Sequence, residues 1–405
     1  MNKTNKYLIL CIMALNFSFA CQNRPKETAE LKEGKWYAEF RTETSHRIPF
    51  LFEVTDNQVT LINGTERVLL DSVIYRGDSV FIPIKAYDTE LRGVLAGDSL
   101  AGSFHRLFSE RDKGIPFTAV YGDRPRFTIE GTSPDLLDGR WEVQFITDTV
   151  TNNYVGVFKQ EGSQLAGSIL TNSGDFRFLE GVIDRNGFRL SAFAGLSPYL
   201  IQGKFTDKDH FEGEYVTTHG VQAIKGTRNN QAALANPYSL TQLKKGYKTL
   251  GFKLKDLKGN EVSLSDPKYK GKVVVVSILG SWCPNCLDET TFLAPWYKEN
   301  KDRGVELIGL AFERKDDPDY IRKVLTNLIR KYDITYDILV GGKIADTGKV
   351  LPEIDKLKSF PTTFFIDKKG EVKKIHTGFN GPATGLFYDE FKADFNKTVD
   401  ELLKQ

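Results

Sequence analysis

The apolar run Val273-Val274-Val275-Val276-Ser277-Ile278-Leu279 leads through Gly280 into Ser281-Trp282-Cys283-Pro284-Asn285-Cys286, and this stretch constrains the fold more than any other. A seven-residue segment without polar alternation predicts a strand buried on both faces. The residues after Cys286 are helix-forming, so the turn between them places Cys283 at a helix N-cap. Free backbone N–H groups and the positive end of the helix dipole favour a thiolate there. Pro284 suits the first helical position, where its missing N–H costs nothing. Cys286 follows one turn later, close enough to attack a mixed disulfide on Cys283. The pattern predicts a two-thiol exchange centre with Cys283 as nucleophile and Cys286 as the resolving thiol.

The other cysteines sharpen this reading. Cys11 lies inside Met1–Ala20, where Lys3 and Lys6 precede the apolar stretch from Tyr7 to Ala20. This has the form of an export signal and is too short for a spanning helix. Ser18-Phe19-Ala20-Cys21 resembles a bacterial lipobox, with Ser18 where the motif usually carries Leu, so Cys21 is the expected lipid attachment site. Plain secretion with Cys21 as a stray thiol is the alternative. Residues 21–30 then form a polar tether. With Cys11 removed and Cys21 alkylated, only Cys283 and Cys286 remain as thiols. A zinc site would need two further ligands, and the five histidines are scattered, so no metal is expected. A structural disulfide closing only four residues would restrict the unfolded chain little. No cofactor is expected beyond the Cys283–Cys286 redox pair.

The chain has 405 residues, enough for two or three domains. Without Lys3 and Lys6 the basic and acidic residues balance at 53 each, which gives no basis for nucleic-acid binding. Residues 31–228 carry short alternating runs broken by Gly, Asp and Asn, the signature of antiparallel β structure. Leu137-Asp138-Gly139-Arg140-Trp141 echoes Lys32-Glu33-Gly34-Lys35-Trp36, and Phe211–Tyr215 echoes Leu100–Phe104. A duplication is therefore expected, with repeats over 31–125 and 136–228 forming a sandwich or barrel. Trp36 and Trp141 are read as core anchors, since large aromatics usually serve burial.

Residues 229–247, with Asn236-Pro237 and little periodicity, read as a linker. The C-terminal domain, 248–405, opens with a hairpin over Phe252–Leu264 around Gly259-Asn260. Helical patterns follow at Leu287–Asn300, which contains Pro295, and at Pro318–Tyr332 and Leu386–Leu403. Strands are expected at Val305–Ala311 and Tyr336–Val340, and a hairpin joins Thr362–Asp367 to Val372–His376.

This order of elements, with Trp-Cys-Pro-Asn-Cys after a Val-rich strand, the Asp256-Leu257-Lys258-Gly259 turn, Gly304-Val305-Glu306-Leu307-Ile308-Gly309 and Ser359-Phe360-Pro361-Thr362-Thr363, resembles the TlpA/ResA-like thiol-disulfide oxidoreductases of the thioredoxin superfamily. The resemblance covers about Leu250 to Gln405. It implies an α/β thioredoxin fold behind the all-β part, and an envelope enzyme that exchanges protein disulfides, in the reducing direction by family likeness. It also implies a cis bond before Pro361, with Trp282, Pro284, Asn285, Phe360 and Pro361 meeting the substrate. Such a cis bond would expose the Phe360 backbone to pair with a substrate strand. Glu289 falls where the family often carries a glutamate near the thiols, and partial burial would suit it to shuttling a proton. An ordinary glutamate near a helix start is the alternative. Thioredoxins proper carry a buried aspartate six residues before the first cysteine, and Ser277 stands there.

The implied partners are disulfide-containing substrate proteins, an upstream electron donor and a membrane reached through lipidated Cys21, on the periplasmic side of a bacterial cell envelope. A competing reading is a protein-binding envelope lipoprotein whose thioredoxin domain has a secondary or peroxidase-like role. Against peroxidase chemistry, Gly280 stands where a peroxidatic Thr belongs. The β part is expected to fold independently, without supplying catalytic groups, and either to recruit a partner or to act as a spacer.

Overall fold

The computed structural model describes residues 30–132 and 136–405; the signal segment, Cys21 and the tether up to residue 29 lie outside the described residues. Two antiparallel sheets come first. One contains β1 (Gly34–Arg41), β2 (Arg47–Thr55), β3 (Gln58–Asn63), β4 (Glu66–Ser72), β5 (Ile74–Arg76), β6 (Ser79–Ile84), β7 (Thr89–Ala96), β8 (Ser99–Arg106) and β9 (Ile115–Tyr121). The other contains β10 (Gly139–Ile146), β11 (Thr151–Glu161), β12 (Gln164–Thr171), β13 (Gly174–Asp175), β14 (Leu179–Asp184), β15 (Gly187–Ala192), β16 (Tyr199–Asp207), β17 (His210–Thr217) and β18 (Val221–Arg228).

In the first sheet β1 pairs with both β2 and β9, which curls the meander and leaves β4 and β5 at its edges. In the second, β10 pairs with both β11 and β18, and β11 also pairs with β12, so the strands close into a barrel with β13 appended. Closure removes free strand edges and encloses a core. The two opening tryptophans play the same part in each. Both are buried, and each indole Nε1 donates to the carbonyl four residues back, Trp36 to Lys32 and Trp141 to Leu137, both at 2.9 Å. Gly34 and Gly139 precede them at φ +114° and +106°, a conformation that favours glycine and turns the chain into the strand.

The C-terminal domain is a thioredoxin fold. It contains β19 (Lys253–Asp256), β20 (Glu261–Ser263), β21 (Val273–Leu279), α1 (Pro284–Asn300), β22 (Val305–Glu313), α2 (Pro318–Tyr332), β23 (Asp337–Lys343), α3 (Thr347–Val350), β24 (Thr362–Ile366), β25 (Val372–Thr377) and α4 (Leu386–Leu403). Its sheet order is β20-β19-β23-β22-β21-β24-β25, with β21, β22 and β23 parallel and β24 antiparallel to β21. β21 lies in the interior of the sheet, between β22 and β24, and every one of its residues is buried. Alternate side chains enter opposite layers: Val273, Val275 and Leu279 pack with α1, α2 and α4, while Val274, Val276 and Ile278 pack with Phe252, Tyr269 and Ile354.

Two features differ from the sequence reading. Residues 229–247 are irregular but are not a free linker. Ala232 packs with Val155 and Leu170 of the barrel, the Thr377 amide donates to the Pro237 carbonyl at 3.1 Å, and Leu243 bridges Ile354. The β part is also not separate from the thioredoxin domain. Leu70, Ile84 and Tyr87 of the first sheet and Phe193, Leu200 and Val216 of the barrel belong to the same continuous core as Leu287 of α1 and Val324 and Leu328 of α2. An amphipathic helix layer that would otherwise face water is covered by the β part.

Candidate active site

The end of β21 and the start of α1 set the geometry of the cysteine turn. Cys283 is the N-cap residue, in extended conformation, with Pro284 at the first helical position. Its Sγ accepts from the Cys286 amide at 3.3 Å, and the two cysteines are joined as a disulfide with Cα atoms 5.2 Å apart. Cys286 is fully buried, whereas Cys283 keeps 5% of its surface. Cys283 is therefore the more accessible of the two.

The loop before β24 faces the disulfide. The Phe360–Pro361 peptide is cis, and the Phe360 carbonyl oxygen lies 3.6 Å from Cys283 Sγ. Trp282 closes the other flank: its Nε1 donates to the Phe312 carbonyl at 2.9 Å, and its ring lies 5.4 Å from that of Phe360. Cys283, Cys286, Trp282, Phe360 and Pro361 are thus brought together. Pro284 and Asn285 cap the turn and face the β part, where the Asn285 side chain lies against Gly174 so closely that a Cβ there would fall 1.9 Å from Nδ2. Asn285 Oδ1 is buried without a hydrogen-bond partner.

Glu289, one turn beyond Cys286, is 1% exposed and points under the helix into the sheet. Its two carboxylate oxygens accept from Ser277 Oγ and Thr363 Oγ1, each at 2.6 Å. Burial pushes this carboxyl up to about 7, against the two hydroxyls, which favour the anion. A surface helix-start glutamate is therefore ruled out. Ser277, six residues before Cys283, is thus one of the two hydroxyls that bind the Glu289 carboxylate.

Several residues around the site were not singled out from the sequence. Glu313, at the end of β22, accepts from the Ser281 amide at 2.9 Å and from Ser281 Oγ at 2.8 Å, anchoring the turn just before Trp282. Burial pushes its carboxyl up as well, against Ser281 and Arg314. An acid closing the apolar run Leu307–Phe312 was the available signal. The Arg314 guanidinium sits 3.6 Å over the Phe108 ring of the β part and 5.5 Å from the Trp282 ring.

Arg177, from the barrel, bonds Asp288 of α1 and Glu66 of β4, each at 2.6 Å. Burial opposes its charge, but Asp288, Tyr87 and Glu66 hold its pKa well above the ordinary value. Asp175 accepts from the Gly381 amide at 2.6 Å and from the Arg177 amide at 2.6 Å. Apart from the local Asp175–Arg177 bond, these partners lie 111 or more residues apart, and nothing local announced them. Among the described residues no group of three His, Cys, Asp or Glu side chains gathers as a metal site, and no helix is long and apolar enough to cross a membrane.

A helix-capping cysteine pair facing a cis-proline loop on this sheet defines a thioredoxin-fold redox domain. Residues 246–375 match the AhpC/TSA family. The same region is 33% identical over 129 residues to the thiol-disulfide oxidoreductase ResA of Bacillus thuringiensis, covering 31% of this chain and 66% of that protein. It is 29% identical over 127 residues to ResA of Bacillus subtilis, covering 31% and 64%. The chain thus spans just under two thirds of these relatives. Similar solved structures include a thiol:disulfide interchange protein DsbE from Chlorobium tepidum, at TM-score 0.31 and 22% identity over 39% of this chain and 99% of that one. Another is the thioredoxin domain of a thiol-disulfide oxidoreductase from Bacteroides vulgatus, at TM-score 0.29 and 25% identity over 37% and 99%. Over its C-terminal domain the chain is thus similar to the ResA thiol-disulfide oxidoreductases and carries an AhpC/TSA-type thioredoxin fold.

Proposed function

We propose that this protein reduces disulfides of other proteins by dithiol-disulfide exchange through Cys283 and Cys286. The observation that carries the reading is the Cys283–Cys286 pair at the start of α1, facing the cis Phe360–Pro361 loop. In the reduced protein, the Cys283 thiolate, favoured by the helix N-terminus, attacks one sulfur of a substrate disulfide. The Cys283–substrate bond forms, the substrate S–S bond breaks, and the leaving sulfur takes a proton. The Cys286 thiol then gives its proton to Glu289, whose pKa of about 7 lets the carboxylate accept it near neutral pH. The Cys286 thiolate attacks Cys283 Sγ, and the Cys283–substrate bond breaks as the Cys283–Cys286 bond forms. The second substrate sulfur leaves and takes a proton, which Glu289 can return through solvent, so the substrate departs as a dithiol and the protein is left oxidised. A thiol donor must then reduce the pair for another turnover.

The Phe360 backbone beside Cys283 suits pairing with an extended substrate segment. The resemblance of Ser18–Cys21 to a lipobox supports a lipid anchor at Cys21, and with it a place on the periplasmic side of a bacterial envelope. Contact of the β part with the cysteine turn favours a role in recruiting partners over that of a spacer.

Insulin reduction by the full chain in the presence of a dithiol tests the activity, and Cys283→Ser should abolish it. A redox titration of the pair against glutathione tests the direction. A potential well above that of the glutathione pool would identify an oxidant and overturn the reductase reading.

A further inference from the structure

The β part and the cysteine turn line an open cavity of about 200 Å³ whose walls include Tyr87, Phe176, Leu196, Tyr199 and Tyr215 from the β part and Pro284 with Asn285 from the turn. We propose that this cavity is a specificity pocket of the exchange site, receiving a bulky apolar side chain next to the reacting cysteine of a polypeptide substrate. The proposal rests on the exchange reading above and adds to it a substrate class and a set of residues from outside the thioredoxin domain.

Position is the first reason. Pro284 and Asn285 are the two residues between the cysteines, so a group seated against them lies within a residue or two of the sulfur that Cys283 attacks.

Chemistry is the second. The two charged residues on the cavity wall are already engaged: Arg177 pairs with Glu66 and Asp288, and Asp175 accepts from the amides of Gly381 and Arg177. The Tyr199 hydroxyl donates to the Phe176 carbonyl. What remains to meet a ligand is mostly ring faces and aliphatic surface, which discriminate by apolar fit.

Size is the third. An apolar cavity of about 150 Å³ accommodates benzene, so this one has room for one aromatic or branched aliphatic side chain. A polar handle is also present: Asn285 Oδ1, on the same wall, is buried and unpartnered, which is costly unless an incoming N–H meets it. A backbone amide of the entering residue would meet that need, which favours a polypeptide over a purely hydrocarbon guest.

The test uses the full chain and two disulfide peptides that differ only in carrying Phe or Gly on both sides of the reacting cysteine. Wild type should show kcat/KM about 10-fold or more higher for the Phe peptide. Ala194 also lines the cavity. Ala194→Phe should fill it and abolish the preference, bringing kcat/KM for the Phe peptide down to that for the Gly peptide. Leu196→Ala, a milder change, should reduce the preference partway. Equal rates for the two peptides in wild type would overturn the proposal, as would loss of both rates in parallel in folded Ala194→Phe and Leu196→Ala.

Binding of the same peptides with Ser in place of Cys separates the pocket from the chemistry. A Phe preference in Kd that Ala194→Phe removes supports the pocket even if neither disulfide peptide turns over, in which case the exchange reading alone fails. Equal Kd values in wild type overturn the pocket whatever the turnover.

Discussion

Replacing Glu289 with Gln removes a titrating group whose folded and unfolded states disagree about its charge. In the folded protein burial holds the carboxyl near 7, against an ordinary 4.5. At about 1.4 kcal/mol per pH unit, ionising it inside the fold costs roughly 3 kcal/mol more than ionising it in the unfolded chain. The sign follows from the raised folded pKa. Below about pH 4.5 the group is protonated in both states and costs nothing. As pH rises from 4.5 through 7 the unfolded chain ionises first, stability falls, and above 7 the full cost is present. Glu289→Gln keeps the shape and leaves Ser277 and Thr363 a hydrogen-bonding partner. The variant should therefore match wild type near pH 4 and exceed it by up to roughly 3 kcal/mol at pH 8, with the gap opening between 4.5 and 7. Denaturant unfolding of both oxidised proteins across pH 4–8 measures this. A gap that does not change with pH, or one that opens in the opposite direction, would refute the buried-carboxyl reasoning. The same variant should exchange disulfides more slowly and lose the inflection near pH 7, since no carboxylate remains to take the Cys286 proton.

Three further outcomes follow from the geometry and a fourth from the lipobox-like sequence. Cys286→Ser should accumulate mixed disulfides through Cys283, visible as dithiol-sensitive adducts on non-reducing gels; adducts through any other residue would contradict the nucleophile assignment. Arg177→Met leaves Asp288 and Glu66 without their shared cation and should cost about 3 kcal/mol or more, with faster amide exchange at the barrel face over the cysteine turn; unchanged exchange there would mean the ion cluster does not hold the two parts together. Gly174→Val, placing a Cβ 1.9 Å from Asn285 Nδ2, should displace that side chain and destabilise by about 1–3 kcal/mol, read by thermal melting, while an unchanged melt would show that the turn yields freely. Cys21→Ser should move the protein from the salt-resistant membrane fraction to a soluble or unprocessed form, and release of the wild type by salt alone would remove the lipid anchor.

Contact between the β part and the exchange site changes what a truncation would report. A fragment beginning near residue 238 would expose the helix layer that Leu70, Ile84 and Tyr87 now cover, so it would lose core as well as partner-binding surface. Substitutions confined to the cavity wall separate the two effects better than deletion does.

By itself the sequence determined the elements whose cause is local. The unbroken Val273–Leu279 run could only be a strand buried on both sides, the Cys-Pro start made an N-cap, and alternating runs between turn residues made antiparallel strands. Even the two tryptophan anchors were legible, because Gly34-Lys35-Trp36 and Gly139-Arg140-Trp141 repeat one local arrangement. Glu289 was half legible: its spacing put it beside Cys286, but whether it faced water or the sheet depended on Ser277 and Thr363 arriving from β21 and β24. Tertiary structure alone decided that the β part lies against the cysteine turn. The contacts responsible, Arg177 with Asp288 and Glu66, Gly174 with Asn285, and Phe108 with Arg314, join residues more than a hundred positions apart. Such pairs leave no periodic trace in either partner, because each residue's local pattern is satisfied equally well by solvent, and only the packing of one folded surface on another selects between the two.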